Sequence, residues 1–195
     1  MSLDAPFGEE EIWQAVKRLP TRKAPSPDGF AAKFLRSCWP VVKHDFVSVF
    51  QQLYELRGRG FCRLNQALLT LIPKRADAAG SSDYRPISLI HLVAKIFAKM
   101  LSLRLAPRLN ELVSPVQNAF IPGRSLHDNF MLMRQSARLL HQLGEPRMLL
   151  KLDLAKAFDS VSWPFLFEVL RCYGFNERFL GWLAFYCHRR APRYC

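Results

Sequence analysis

Asp153 is the residue of this chain best placed to do chemistry. It stands in Lys151–Val161, KLDLAKAFDSV, at the end of an otherwise apolar run of Met148, Leu149, Leu150, Leu152 and Leu154. A carboxylate among such neighbours is costly when it is desolvated without a partner. Residue type leaves two readings open. Asp153 binds a hard divalent cation at a strand end, or it accepts backbone hydrogen bonds in the turn after the strand. No second carboxylate stands at a matching spacing, and the five histidines form no metal-ligand pattern. Cys38, Cys62, Cys172, Cys187 and Cys195 are scattered and contain no Cys-x-x-Cys pair. They read as free thiols, which fits a reducing compartment and neither a zinc site nor a disulfide framework.

Charge is the second informative feature. The 195 residues carry a formal +12, while the first twenty oppose Asp4, Glu9, Glu10 and Glu11 to Lys17 and Arg18. The basic excess therefore lies beyond residue 20, and a polyanionic partner, commonly nucleic acid, fits it. Half the residues are hydrophobic, which excludes global disorder. No apolar run reaches the roughly 18 residues of a membrane span. The start, MSLDAPFGEEEIW, is acidic and unlike a signal peptide. An intracellular protein is expected, in nucleus or cytoplasm, with no membrane partner and no defined protein partner.

These residues need elements to position them. A first helix is expected from Gly8, with Glu9 to Glu11 at its positive end and Ile12, Trp13, Val16 and Leu19 as its apolar face. Pro20 ends it, and Thr21–Gly29 reads as a basic, turn-rich loop. A second helix is expected over Val41–Leu56. Ala67–Ile72 (ALLTLI) reads as a short buried strand ending at Pro73-Lys74, followed by a loop over Ala76–Asp83. Val93, Ile96, Phe97, Met100 and Leu101 mark a helix whose polar face carries Lys95, Lys99 and Arg104. Gln117–Arg124 is an irregular basic connection, and Leu126–Leu143 a helix broken by Gly144 and Pro146. Met148–Leu154 reads as a sheet-core strand. Ser162 is expected to cap a helix running to Tyr173, with Gly174 as its stop. The class is α+β, with helix dominating.

Six segments in this order make the chain recognisable: KAPSPDGF (Lys23–Phe30), CW (Cys38-Trp39), LIPK (Leu71–Lys74), DYRPISL (Asp83–Leu89), QNAFIPGRSLHDN (Gln117–Asn129) and KLDLAKAFDSVSW (Lys151–Trp163). The chain resembles the reverse transcriptase domains of plant LINE-type, non-LTR retrotransposons. The resemblance implies a right-hand polymerase fold, of which this would be the fingers and the start of the palm. It divides the chain into an N-terminal helical extension (1–66), fingers (67–147), the start of the palm with the first catalytic motif (148–183) and a divergent tail (184–195).

It also implies RNA-templated DNA synthesis with two Mg²⁺ or Mn²⁺ ions, on an RNA template, a DNA primer and deoxynucleoside triphosphates. Asp153 matches the first metal-binding aspartate, and the Leu154 backbone carbonyl would assist the nucleotide-side metal. Phe158 matches the residue that blocks a ribose 2′-hydroxyl; Asp159 reads as a cap or turn residue. Arg85 and Lys74 match fingers residues that hold the triphosphate, for which a bidentate guanidinium and a point charge suit. Gln117, Gly123 and Arg124 match the template path, and Lys23 belongs to a loop expected to touch template RNA. Ser26 stands where the family usually has glycine, and a positive φ there would strain it.

The pattern fades after Leu183, and Ala184–Cys195 reads as a frame change or altered splice. The chain is expected to stop before the second catalytic motif, which ends in Ala-Asp-Asp, and no Asp-Asp pair occurs in its 195 residues. Two-metal chemistry needs carboxylates from separate strands, so this chain alone is expected not to polymerise DNA. The alternatives are a noncatalytic basic RNA-binding remnant and a poorly folding one; a metal nuclease built on Asp153 is a weaker reading.

Overall fold

The computed structural model describes residues 3–21, 24–55, 61–144, 148, 150, 152–154, 157 and 160–188. They form helices and one two-stranded antiparallel sheet, divided into two compact units: Met1–Arg104 with Asn176–Cys195, and Leu105–Phe175.

The first unit begins with α1 (Glu9–Lys17), which starts where the sequence places it, with Gly8 as N-cap and three acids in the first turn. Ile12, Ala15 and Val16 face inward and are fully buried. α2 (Ala32–Ser37) and α3 (Trp39–Tyr54) pack on α1 and on each other. Trp13 stacks on Trp39 with centroids 5.2 Å apart. The short α4 (Phe61–Leu64) precedes β1 (Ala67–Pro73), which pairs with β2 (Tyr84–Ile90) from Ala67↔Ile90 to Pro73↔Tyr84.

β1 forms as expected but is not buried. Leu68, Leu69, Leu71 and Ile72 are all exposed, because among the described residues the sheet is a two-stranded ribbon with no third strand. β2 includes Pro86, which lacks an N–H and is tolerated because each strand of a ribbon has an open edge.

α5 (Leu92–Leu105) buries Ile96, Phe97, Met100 and Leu101, as its periodicity predicts. Arg104, expected on its polar face, is instead buried at 6% exposure. All five of its N–H donors are used: two on the Glu11 carboxylate (2.6 and 2.7 Å) and three on the carbonyls of Leu3, Ala5 and Pro6. Those carbonyls belong to a strap that inserts Phe7 among Phe50, Tyr54, Phe97 and Trp182. The guanidinium lies over the rings of Phe7 and Trp182.

In the second unit α6 (Leu109–Leu112) is followed by α7 (Leu126–Gln142). Ser125 caps α7 by accepting the His127 N–H, and Gly144 ends it at φ +66. No residue of α7 is buried. α8 (Trp163–Cys172) begins after Ser162 as expected, although the Ser162 hydroxyl makes no capping bond. Gly174 (φ +77) stops it, with Phe175 N–H on Leu170 C=O and Gly174 N–H on Arg171 C=O, a Schellman closure. α9 (Glu177–His188) returns to the first unit, burying Phe179, Leu180 and Trp182.

The strand expected over Met148–Leu154 is not formed among the described residues. Met148, Leu150, Leu152 and Leu154 are 71–90% exposed. A strand is stable only with a hydrogen-bonded neighbour, and the one sheet of the described residues does not reach this segment. The result is helix-rich with a small sheet, compatible with part of a polymerase fold.

Candidate functional site

The cationic end of the β1–β2 hairpin is built by register. Ile72 opposes Arg85, Pro73 opposes Tyr84, and two residues beyond Ile72, just past the end of β1, the Lys74 N–H donates to the Asp83 carbonyl at 2.8 Å. Side chains alternate along a strand, so Lys74 and Arg85 are diagonal neighbours on one face. The Arg85 side chain is exposed and has no hydrogen bond or ion pair among the described residues. The Lys74 ammonium donates to the Ser82 carbonyl at 2.5 Å.

Asp83 organises the connecting loop. Its Oδ2 accepts the N–H groups of Gly80 and Ala79, and its Oδ1 faces Arg75 at 3.2 Å. These contacts, the Gly80 hydrogen bond foremost, hold its carboxyl below the ordinary carboxylate range. Motif matching passed over Asp83 as a functional residue, although an acid three positions after a glycine is a readable loop-capping signal.

The Gln117–Arg124 segment is tied together by its own arginine. Arg124 donates to the carbonyls of Ser114 (2.6 Å), Gln117 (2.7 Å) and Val113 (3.0 Å). Its guanidinium therefore fixes the loop, and Gln117 is the exposed polar side chain that the loop presents. Gly123 sits at φ +81 with nothing within 4 Å of an added Cβ, so backbone conformation rather than close approach demands glycine. Phe120 also adopts a positive φ of 65 and is 89% exposed, a conformation that nothing in its residue type forecast.

Ser26 is not strained. The positive φ in its loop falls on Gly29, at +81. Gly29 N–H closes a turn onto Ser26 C=O (2.9 Å), and Ser26 N–H reaches Phe30 C=O (3.0 Å). Pro27 and Gly29 suit such a turn followed by a left-handed residue. Ser26 is 2% exposed, with its hydroxyl 3.4 Å from the Lys95 ammonium. Asp28 accepts the Phe30 N–H at 3.0 Å and faces His91 Nδ1 at 3.5 Å. Burial lowers the Lys95 pKa, and the Asp28 charge opposes that shift. The loop is thus pinned onto the start of α5.

Asp153 lies in the second unit, exposed, with no hydrogen bond or ion pair among the described residues. Leu154 beside it is 79% exposed. No group of three potential metal ligands exists among the described residues. This donor set, one carboxylate and one carbonyl, does not make a two-metal centre, and no step is derived through one. Lys23, Phe158 and Asp159 lie outside the described residues. Register thus places Lys74 near Arg85, and hydrogen bonds tie Gln117 to Arg124 in the loop that holds Gly123; among the described residues nothing is assembled around Asp153.

Comparison with known proteins accounts for this motif set. The sequence model of the family described as reverse transcriptase (RNA-dependent DNA polymerase) matches residues 72–195, through the stretch set apart as a divergent tail. The chain is 34% identical over 181 residues to the transposon TX1 uncharacterized 149 kDa protein of Xenopus laevis, covering 93% of this chain and 14% of that one. It is 28% identical to the retrovirus-related Pol polyprotein from the type-2 retrotransposable element R2DM of Drosophila melanogaster (89% and 17% covered). It is 26% identical to the Pol polyprotein from the type-1 element R1 of Bradysia coprophila (93% and 18%). The chain thus spans less than a fifth of the length of each of these relatives. All three are animal proteins, so the comparisons support the non-LTR group and not its plant branch. The chain belongs to the reverse transcriptase family, as a segment of the non-LTR retrotransposon kind.

Proposed function

We propose that the chain supplies the fingers and the first palm motif of an RNA-directed DNA polymerase, holding the incoming nucleotide on its β1–β2 hairpin. What supports this is the hairpin register, Ile72 opposite Arg85 with Lys74 two residues on, which by side-chain alternation puts Lys74 and Arg85 on one face of an exposed ribbon. An exposed guanidinium without a partner of its own, beside an ammonium, suits a triphosphate. In this reading residues 1–66 form the N-terminal extension, 67–147 the fingers and 148–183 the start of the palm. RNA template and DNA primer are the partners, with Gln117 facing the template and Lys23 in a template-touching loop. Phe158 would exclude the 2′-hydroxyl. The narrowing to a plant LINE-type element rests on the spelling of the motifs alone. No helix among the described residues is long and apolar enough to cross a membrane; nucleus and cytoplasm are both compatible.

Asp153 and the Leu154 carbonyl would hold Mg²⁺ or Mn²⁺ only together with a second carboxylate motif, so the 195 residues alone are read as noncatalytic. The test is equilibrium binding of a fluorescent deoxynucleoside triphosphate. Arg85→Ala and Lys74→Ala should each weaken it. Arg75→Ala should leave it unchanged, since Arg75 is engaged with Asp77 and Asp83. Equal binding by all the variants would refute the assignment. The noncatalytic RNA-binding reading is favoured by the net charge of +12 and would show as salt-sensitive RNA binding indifferent to Asp153→Asn.

A further inference from the structure

Phe30 and Phe34 stack on each other with centroids 4.4 Å apart and planes 22° from parallel, yet each stays 46% exposed. Phe30 lies two residues before α2 and Phe34 lies on it, whereas Ala32 and Leu35 of the same helix are buried. Arg36 turns inward to the α1 carbonyls of Val16 and Lys17 and to that of Leu19. α2 therefore has a packed side and an open aromatic side. The Phe30 ring is held there by backbone geometry. Its N–H is on Asp28 Oδ1, its C=O accepts from Ser26, and Gly29 provides the reversal.

The surrounding chain is cationic. In the sequence, residues 17–36 hold six cations, Lys17, Arg18, Arg22, Lys23, Lys33 and Arg36, against one acid, Asp28. Lys33 lies between the two rings in sequence and is exposed. Asp28 is itself offset by the Lys95 charge. An open aromatic surface within a stretch of unbalanced positive charge is the combination that binds single strands, with bases on rings and phosphates on cations.

We propose that the Phe30–Phe34 pair is a base-stacking platform for single-stranded nucleic acid, with Lys33 contacting the phosphate that follows the stacked base. This rests on the reading that the chain acts on nucleic acid, and it adds to the Lys23–Phe30 motif a stacking role for Phe30 and the helix residue Phe34, neither of which the motif reading assigns. Stacking on a ring is sequence-tolerant, so the platform would grip a strand while letting it shift by one base at a time.

The test compares anisotropy of a labelled 15-nucleotide single-stranded RNA with that of an abasic ribose-phosphate oligomer of the same length, using the full chain. Phe34→Leu keeps apolar bulk and removes the ring; Phe34→Trp keeps a ring; cooperative unfolding by circular dichroism confirms that each variant folds. The expected result is a loss of about 5- to 150-fold in RNA affinity for Phe34→Leu, the range set by one stacked base. Its affinity for the abasic oligomer should be unchanged, and Phe34→Trp should match wild type. Lys33→Ala should reduce the salt slope on both ligands by about 0.7, as one lost phosphate contact does.

If wild type binds RNA with a steep salt slope and Phe34→Leu binds it equally well, the platform is overturned while the nucleic-acid reading stands. If wild type binds neither ligand, both fall. A loss on RNA and abasic ligand alike would show that the ring supports the fold rather than a base, and would also overturn the platform.

Discussion

Replacing Arg104 by methionine removes a cation whose five N–H donors are all engaged and whose side chain is 2% exposed. The Glu11 carboxylate, 11% exposed, would keep its charge and lose its partner. The carbonyls of Leu3, Ala5 and Pro6 would lose their donors as well. Breaking one side of a buried pair costs about 3–5 kcal/mol, because the other charge stays in a poor solvent. Domain stability is typically about 5–15 kcal/mol, so the variant should lose a large share of it. The strap that seats Phe7 against Trp182 should detach first.

Urea unfolding followed by tryptophan fluorescence reads both effects. Arg104→Lys keeps the charge but offers at most three donors without the planar fork. It should therefore fall between wild type and methionine. In a double-mutant cycle with Glu11→Leu, the coupling should exceed about 1.5 kcal/mol, and the double variant should be more stable than Arg104→Met. A methionine variant within about 1 kcal/mol of wild type would refute this account of the core.

Three further outcomes follow from local geometry. Gly123→Ala should destabilise by about 1–2 kcal/mol through its positive φ alone, measured by thermal unfolding, since the added Cβ meets nothing. Ser26→Gly, which restores the residue usual in the family, should destabilise by about 0.5–1 kcal/mol; a gain would mean that Ser26 is strained after all. Asp83 has a depressed folded-state pKa, so its contribution is full above the ordinary value of 3.8 and fades as pH falls below it. Amide protection in the hairpin, taken relative to the intrinsic exchange rate at each pH, should fall below about pH 4 in wild type. Asp83→Asn should flatten that dependence, and an unchanged profile would contradict the assignment.

Elements with local signals were legible in advance. α1, α7 and α8 start and stop close to where caps, apolar spacing and glycines place them, because those signals act within one turn, and α5 contains every apolar position its spacing marks. The β2 strand was not read as one, since Pro86 argues against a strand unless the partner is known. Arg104 was misplaced because periodicity assigns a cation to the outside and cannot see five acceptors gathered from residues 3–11. The Met148–Leu154 strand failed for a related reason. Apolar character states a preference for a sheet but supplies no neighbour, and among the described residues none is offered. At the candidate site, the sequence placed Lys74 and Arg85 in separate motifs, and only the hairpin register puts them on one face. Arg124 and Ser26 were named correctly as loop residues, but their contacts, to carbonyls and to Lys95, depend on turn closure that no motif spells out.

The reading to test is the proposal that Asp153 is one of the metal-binding carboxylates of a reverse transcriptase and acts only with a second carboxylate motif. Primer extension on an RNA template with Mg²⁺ or Mn²⁺, comparing wild type with Asp153→Asn, tests it directly. The account predicts no extension by the 195-residue chain beyond the Asp153→Asn background. Extension by wild type that Asp153→Asn abolishes would contradict it and would mean that the carboxylates present already suffice.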